Sequence, residues 1–251
     1  MSNKQVWRLI PFLEASGNVQ MAIDKWLLEQ HHSRKHPPTL RFYTWSPAAI
    51  SLGYHQKQYP QAWENLTWQG KKLDLVRRPT GGRAVLHQGD LTYTVVTWGL
   101  AGNRLQAYTK ICEFLIRGWR SLGVELTYGT AGRGYIHNPN CFGTATGADL
   151  ILPNGAKLIG SAQLKRGDVI LQHGSIRLQP DAELFAEVFG TELLTNLQFP
   201  YSLEQMMTAL ITAAQDFFAM EIEVQALSQL EWEEIMIYSN HQNAAFSSLK
   251  S

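Results

Sequence analysis

The chain has 251 residues, 45% of them hydrophobic and 17% charged, with a formal net charge of +1. That length is enough to bury a self-sufficient core, and the near-neutral balance excludes a chain-wide attraction to nucleic acid or anionic membrane. Two cysteines make no disulfide scaffold, no paired zinc-ligand spacing is present, and no run reaches the ~20 apolar residues of a membrane span.

The opening MSNKQVWRLIPFLEASG has no apolar segment of signal-peptide length. A cytoplasmic protein with free thiols and no bound metal is therefore expected. VWRLI reads as a strand, and NVQMAIDKWLLEQHH has helical spacing that brings Val19, Ala22, Ile23, Trp26 and Leu27 to one face. Pro37-Pro38 closes that helix. LRFYTWSPAAISLGYHQ reads as strand, turn at Ser46-Pro47, strand, and a short helix is expected within 60–71.

LDLVRRPTGGRAVLHQGDLTYTVVTW then predicts strand, glycine turn, strand and strand. From Arg104 the periodicity is helical, with Leu105, Tyr108, Ile111, Cys112, Leu115, Ile116 and Trp119 on an apolar stripe and Gly123 just past its end. VELTY is a further strand. After a turn-rich region from Gly129 to Gly147, ADLILPNGAKLIGSAQLKRGDVILQHGSIRL predicts three strands with turns at 153–155 and 165–168. PDAELFAEVFG is a short helix ended by Gly190. The last 50 or so residues are mostly helical, with Ser202 and Ser228 each followed three positions later by Gln205 and Glu231 as capping boxes, and EIEVQA between them as a strand. With no internal repeat or linker, the expectation is an α+β (mixed α/β) fold: mixed sheets and packed helices over 1–195 and a helical portion over 196–251 packed on the same domain.

Three segments can carry chemistry. In RRPTGGRAVLHQGDLTY, Gly81 and Gly82 lack a Cβ and can bring backbone amides close to a ligand, and Arg77, Arg78 and Arg83 flank them with multi-donor guanidinium groups. The pattern is not a phosphate-binding P-loop, since GK[ST] is missing. The plain alternative is a hairpin with solvent-facing arginines, and His87 reads first as a hydrogen-bonded histidine closing a strand, with a catalytic role as the other reading. In GAKLIGSAQ, Lys157 lies on a strand in an apolar setting, where it either polarises an acyl carbonyl or faces solvent. In HNPNCFGTATGADL, Cys141 sits among turn formers, whereas Cys112 lies on a helix stripe and reads as a small buried hydrophobe. A nucleophilic thiolate needs a cation or aligned amides beside it, and His137, four residues upstream, is a candidate base.

Taken in order, LRFYTWSPAAISLGYHQ, VRRPTGGRAVLHQGDLTY, CFG, KLIGSAQ and VILQHGSI resemble the lipoate/octanoate-handling branch of the biotin/lipoate A/B protein ligase family, from about residue 5 to 190. The resemblance implies a mixed α/β domain with a tunnel for a medium-chain acyl group. Arg77, Arg78, Thr80, Gly81, Gly82, Arg83 and His87 are implied to line it, with Gly160, Ser161, Ala162 and His173. Cys141-Phe142 resembles the cysteine segment of one octanoyltransferase group, which implies Cys141 as nucleophile and Lys157 as its catalytic partner. The segment after the cysteine, FGTATGADL, departs from that group's pattern.

The activity so implied moves an octanoyl group from acyl carrier protein, through a cysteine thioester, to a lysine of a lipoyl-carrier protein. Acceptors of that kind are the H protein of glycine cleavage and the acyltransferase subunit of a 2-oxoacid dehydrogenase. No cofactor is implied, because a thioester is already activated. The rival readings are an ATP-dependent lipoate or octanoate ligase, a carrier-to-carrier amidotransferase, and a non-catalytic acyl-binding module.

Overall fold

The computed structural model describes residues 4–100, 102–129, 149–191 and 198–248. In chain order these form β1 (Gln5–Ala15), α1 (Gly17–His32), β2 (Thr39–Trp45), β3 (Ala49–Leu52), β4 (Thr67–Trp68), β5 (Lys71–Lys72), β6 (Asp74–Arg77), β7 (Val85–His87) and β8 (Asp90–Trp98). There follow α2 (Arg104–Ser121), β9 (Thr127–Tyr128), β10 (Leu150–Ile151), β11 (Lys157–Arg166), β12 (Val169–Arg177), α3 (Ala182–Phe189), α4 (Leu203–Phe218), β13 (Met220–Val224) and α5 (Gln229–Ser248).

The principal sheet has eight strands in the order β13-β1-β2-β8-β12-β11-β10-β9. β1 runs parallel to both β13 and β2, whereas the β2–β8, β8–β12 and β12–β11 pairs are antiparallel. β8 and β12 lie at its centre, and almost every residue of the two is buried. Their Val, Ile and Thr content suits a strand packed on both faces. A smaller sheet, β6-β3-β7, stands beside it, and β4-β5 is a separate hairpin.

Helices cover both faces of the principal sheet. On one side α1 buries Ile23, Trp26 and Leu27 against Val96, Val169 and Leu171, with Ile235 of α5 in the same cluster. On the other, Ile111, Leu115 and Trp119 of α2 pack with Leu210 of α4 over Leu91, Val95 and Ile170. Each such large side chain contributes about 1.5–3 kcal/mol by leaving water. The smaller sheet closes over α3, with Ile50, Leu52, Leu86, Leu184 and Phe185 together.

Three expectations change. Leu105, placed on the α2 stripe, is 61% exposed, because it lies in the first helical turn beyond the cover of the sheet. The helix expected within 60–71 shrinks to one 3₁₀ turn, Gln61–Glu64, followed by the β4–β5 hairpin. There Gln69 and Gly70 both take positive φ, as a tight two-residue hairpin turn requires. The strand expected from VELTY is confined to Thr127–Tyr128. Ser202 and Ser228 do cap α4 and α5, exchanging bonds with Gln205 and Glu231.

Candidate active site

A cleft opens where the two sheets meet. Its apolar wall is Met21 of α1, Tyr43 and Trp45 of β2, and Val85 of β7. Its polar wall comes from Ser51, Arg78, His87 and Thr92, and from the facing segments Gly160–Ala162 of β11 and His173–Ser175 of β12. Within the principal sheet these two segments are direct neighbours, with Gly160 paired to Ser175 and Ala162 to His173.

Arg77 and Arg78 both donate to backbone around the glycine turn. Arg78 is buried and donates to the carbonyls of Ser51, Gly81 and Arg83 at 2.7–3.2 Å. Arg77 donates to the carbonyls of Gly53, Tyr54 and Gln56. The turn is thus held against the end of β3, where Tyr54 N–H also donates to Thr80 O at 2.8 Å. Contact is so close that a Cβ on Gly53 would lie 1.9 Å from the Gly82 carbonyl oxygen. Of the residues in this segment named from sequence, Arg78, Gly82 and His87 line the cleft. Arg77, Thr80, Gly81 and Arg83 are not in that lining, and Arg77 and Thr80 tie the turn to Gly53 and to His173.

Two buried histidines are each fixed by a carboxylate. His87 Nδ1 is 2.8 Å from Asp90 Oδ2, and His87 Nε2 is 2.8 Å from Ser51 Oγ. His173 Nδ1 is 2.7 Å from Asp24 Oδ2, and its Nε2 is 2.6 Å from Thr80 Oγ1. Burial, the dominant influence, pushes His87 below the usual imidazole range although Asp90 pulls the other way. At Asp24 burial would raise the carboxyl, but Arg41, His173 and Thr94 together hold it low. Asp24 therefore serves as a fixed acceptor in the interior, and Asp90 Oδ2 accepts from Ser175 and Thr92 as well as facing His87.

Lys157 is buried, with Nζ 2.9 Å from Asp149 Oδ1. A Cβ at Gly160 would meet Lys157 Cε at 2.9 Å and Nζ at 3.1 Å. The glycine three residues on thus leaves the space that the lysine chain fills, which brings its ammonium beside the cleft. The solvent-facing alternative for Lys157 does not hold.

Cys141 and His137 lie outside the described residues. Cys112 is buried as its helix periodicity implies, and burial pushes its thiol up to about 12. It accepts from Gln172 Nε2 at 3.3 Å, and Gln172 also reaches Tyr93, whose hydroxyl is 2.8 Å from Ser161 Oγ. That network sits under β11, on the α2 side, and steadies Ser161.

Sequence reasoning missed Ser51, Asp24 and Asp90 as parts of the site. Asp24 is a single acid on α1, and only its meeting with His173 of β12 gives it a place in the site. Asp90 has a local signal, since it follows His87 by three residues across a tight turn.

Residues 16–231 match the family model described as Lipoyl protein ligase A/B catalytic domain. The chain is 40% identical over 194 residues to Octanoyltransferase LipM of Kyrpidia tusciae, covering 72% of this chain and 70% of that protein. It is 37% identical over 198 residues to Octanoyltransferase LipM of Bacillus subtilis, covering 74% and 70%. Its fold is similar to that of a lipoate-protein ligase A bound with ATP, with a TM-score of 0.72 at 22% identity over 93% of this chain and 94% of the other. It is also similar to a bi-partite lipoate protein ligase from Thermoplasma acidophilum, with a TM-score of 0.73 at 17% identity over 95% and 93%. With a match across most of its length, the chain belongs to the lipoyl protein ligase A/B catalytic domain family.

Proposed function

We infer that this chain is an octanoyltransferase that moves octanoate from acyl carrier protein, through a thioester on Cys141, to a lysine of a lipoyl-domain protein in the cytoplasm. What supports this reading most is its 37–40% identity, over 72–74% of this chain, to proteins named Octanoyltransferase LipM. The lining of the cleft suits an acyl group: apolar on the Met21–Trp45 side, polar near Gly160 and Ser161.

In this reading the Cys141 thiolate attacks the donor thioester, so the acyl group changes sulfur without needing activation. Lys157, fixed by Asp149 and given room by Gly160, holds its charge close to the acyl carbonyl as negative charge grows there. The glycine turn, braced from behind by Arg77 and Arg78, keeps the wall opposite in register. The acceptor is the H protein of glycine cleavage or the acyltransferase subunit of a 2-oxoacid dehydrogenase.

The transfer itself is the test. Purified protein, octanoyl-acyl carrier protein and a lipoyl domain are combined without ATP, and the domain is weighed by mass spectrometry. The account expects an octanoylated domain and no dependence on ATP. Modification only when free octanoate and ATP are supplied would identify an ATP-dependent ligase instead.

A further inference from the structure

The Ser51–His87–Asp90 chain has a fixed direction. Asp90 Oδ2 receives His87 Nδ1 at 2.8 Å, Ser175 Oγ at 2.7 Å and Thr92 Oγ1 at 3.2 Å. An oxygen that collects three donors is an acceptor, so the imidazole carries its proton on Nδ1 and leaves a lone pair on Nε2. The hydroxyl proton of Ser51 therefore points to Nε2. Arg78 Nη1 donates to Ser51 Oγ from another side at 3.2 Å. A serine oxygen has two lone pairs, so one is left, and Ser51 lines the cleft.

The ring itself is held in plane. Trp45 stacks on His87 with centroids 3.9 Å apart and an interplanar angle of 15°, and its indole N–H donates to Thr92 Oγ1 at 2.8 Å. Thr80–His173–Asp24 has the same serial order of hydroxyl, imidazole and carboxylate. Thr80, however, is not part of the cleft lining. That second chain braces the turn, whereas the first ends on Ser51, which belongs to the cleft lining.

We propose that Ser51, backed by His87 and Asp90, is a catalytic residue of the second half of the reaction, taking the proton that the acceptor amine sheds as it attacks the enzyme-bound thioester. The proposal rests on the thioester reading above. The amine, having already lost one proton to solvent, bonds through nitrogen to the thioester carbonyl carbon. Its N–H proton passes to Ser51 Oγ while the serine's own proton moves to His87 Nε2, giving an imidazolium beside Asp90. Breaking the C–S bond then releases a thiolate, to which that proton returns by the same path. The sum is an amide and a free thiol, and the relay ends as it began. Burial keeps His87 neutral in the resting state, so the acceptor lone pair is available. The Arg78 donor stabilises charge on the serine oxygen during the transfer.

The two half-reactions separate this proposal from the reading beneath it. Full-length wild type, Ser51→Ala and His87→Gln are each acylated by octanoyl-acyl carrier protein in a single turnover, then mixed with a lipoyl domain or with hydroxylamine. Ser51→Ala removes one oxygen, and His87→Gln keeps a side-chain acceptor and tests the same step if the first variant folds poorly. The expected result is acylation within about threefold of wild type and transfer to the lipoyl-domain lysine slowed by at least about 100-fold, the range of a lost general base. Deacylation by hydroxylamine, a nucleophile that is neutral at assay pH, should stay within about threefold. Transfer to lysine at the wild-type rate would overturn the relay, as would equal slowing of acylation, transfer and hydroxylamine cleavage, which marks a structural role. A wild type that never acquires the acyl group would overturn the thioester reading itself.

Discussion

Lys157 shows how a single missing side chain can place a charge. A buried ammonium is costly unless it is paired, and the Asp149 carboxylate at 2.9 Å pairs it. The approach is possible only because position 160 has no Cβ. In Gly160→Ala the new methyl would lie 2.9 Å from Lys157 Cε, the far end of a flexible chain rather than backbone. The lysine can move aside, so stability should change by less than about 1 kcal/mol. The displaced ammonium should matter more to turnover: kcat/KM for octanoyl transfer is expected to fall at least about tenfold, since an ångström of misplacement is enough for such a loss. Melting curves and steady-state rates on one preparation check this, and full activity would contradict the placement argument.

At the level of elements, strands and caps were legible, whereas the jobs of the arginines were not. Alternation and turn residues place β6, β7 and β8, because a buried strand and a glycine turn leave a local mark. Whether Arg78 meets a ligand or a carbonyl depends on β3, which is 27 residues away in sequence where it donates to Ser51. No spacing rule carries that information. Ser51 escaped notice for the same reason: within AISL it is one more small residue on a buried strand, and it gains its role from His87 across the β3–β7 pair.

Helix α5 offers a test of how the C-terminal elements dock. Arg8 of β1 grips Glu231 with two nitrogens, at 2.6 and 2.9 Å, and also donates to the carbonyls of Gln225 and Ala226. Burial by itself would raise the Glu231 carboxyl, but the Arg8 guanidinium and the Ser228 amide outweigh it and hold it down at about 2. A carboxyl whose folded value lies below its unfolded value of 4.5 stabilises the fold fully above that value, and the contribution fades as pH falls towards 2. The melting-temperature gap between wild type and Glu231→Gln should therefore be constant above about pH 5 and close between 4.5 and 2. A gap that does not change with pH would contradict this.

Across the whole molecule, the division of labour follows the sheets. The central strands β8 and β12 are covered on both faces, by α1 with α5 and by α2 with α4, and form a rigid floor. The smaller sheet supplies the braced turn and Ser51, and the cleft lies at the junction of the two. The order of motifs made the fold class readable because each motif is a stretch of local structure, while the relays and the lysine's seat arise only when separate strands meet. The central claim is that an octanoyl group rests covalently on Cys141, and intact-mass analysis tests it most directly. Wild type incubated with octanoyl-acyl carrier protein, without ATP, should gain the mass of one octanoyl group that hydroxylamine removes. Cys141→Ser should gain none, and peptide mapping should leave the buried Cys112 unmodified. A wild type with no adduct, or a Cys141→Ser variant that carries it equally, would contradict the account.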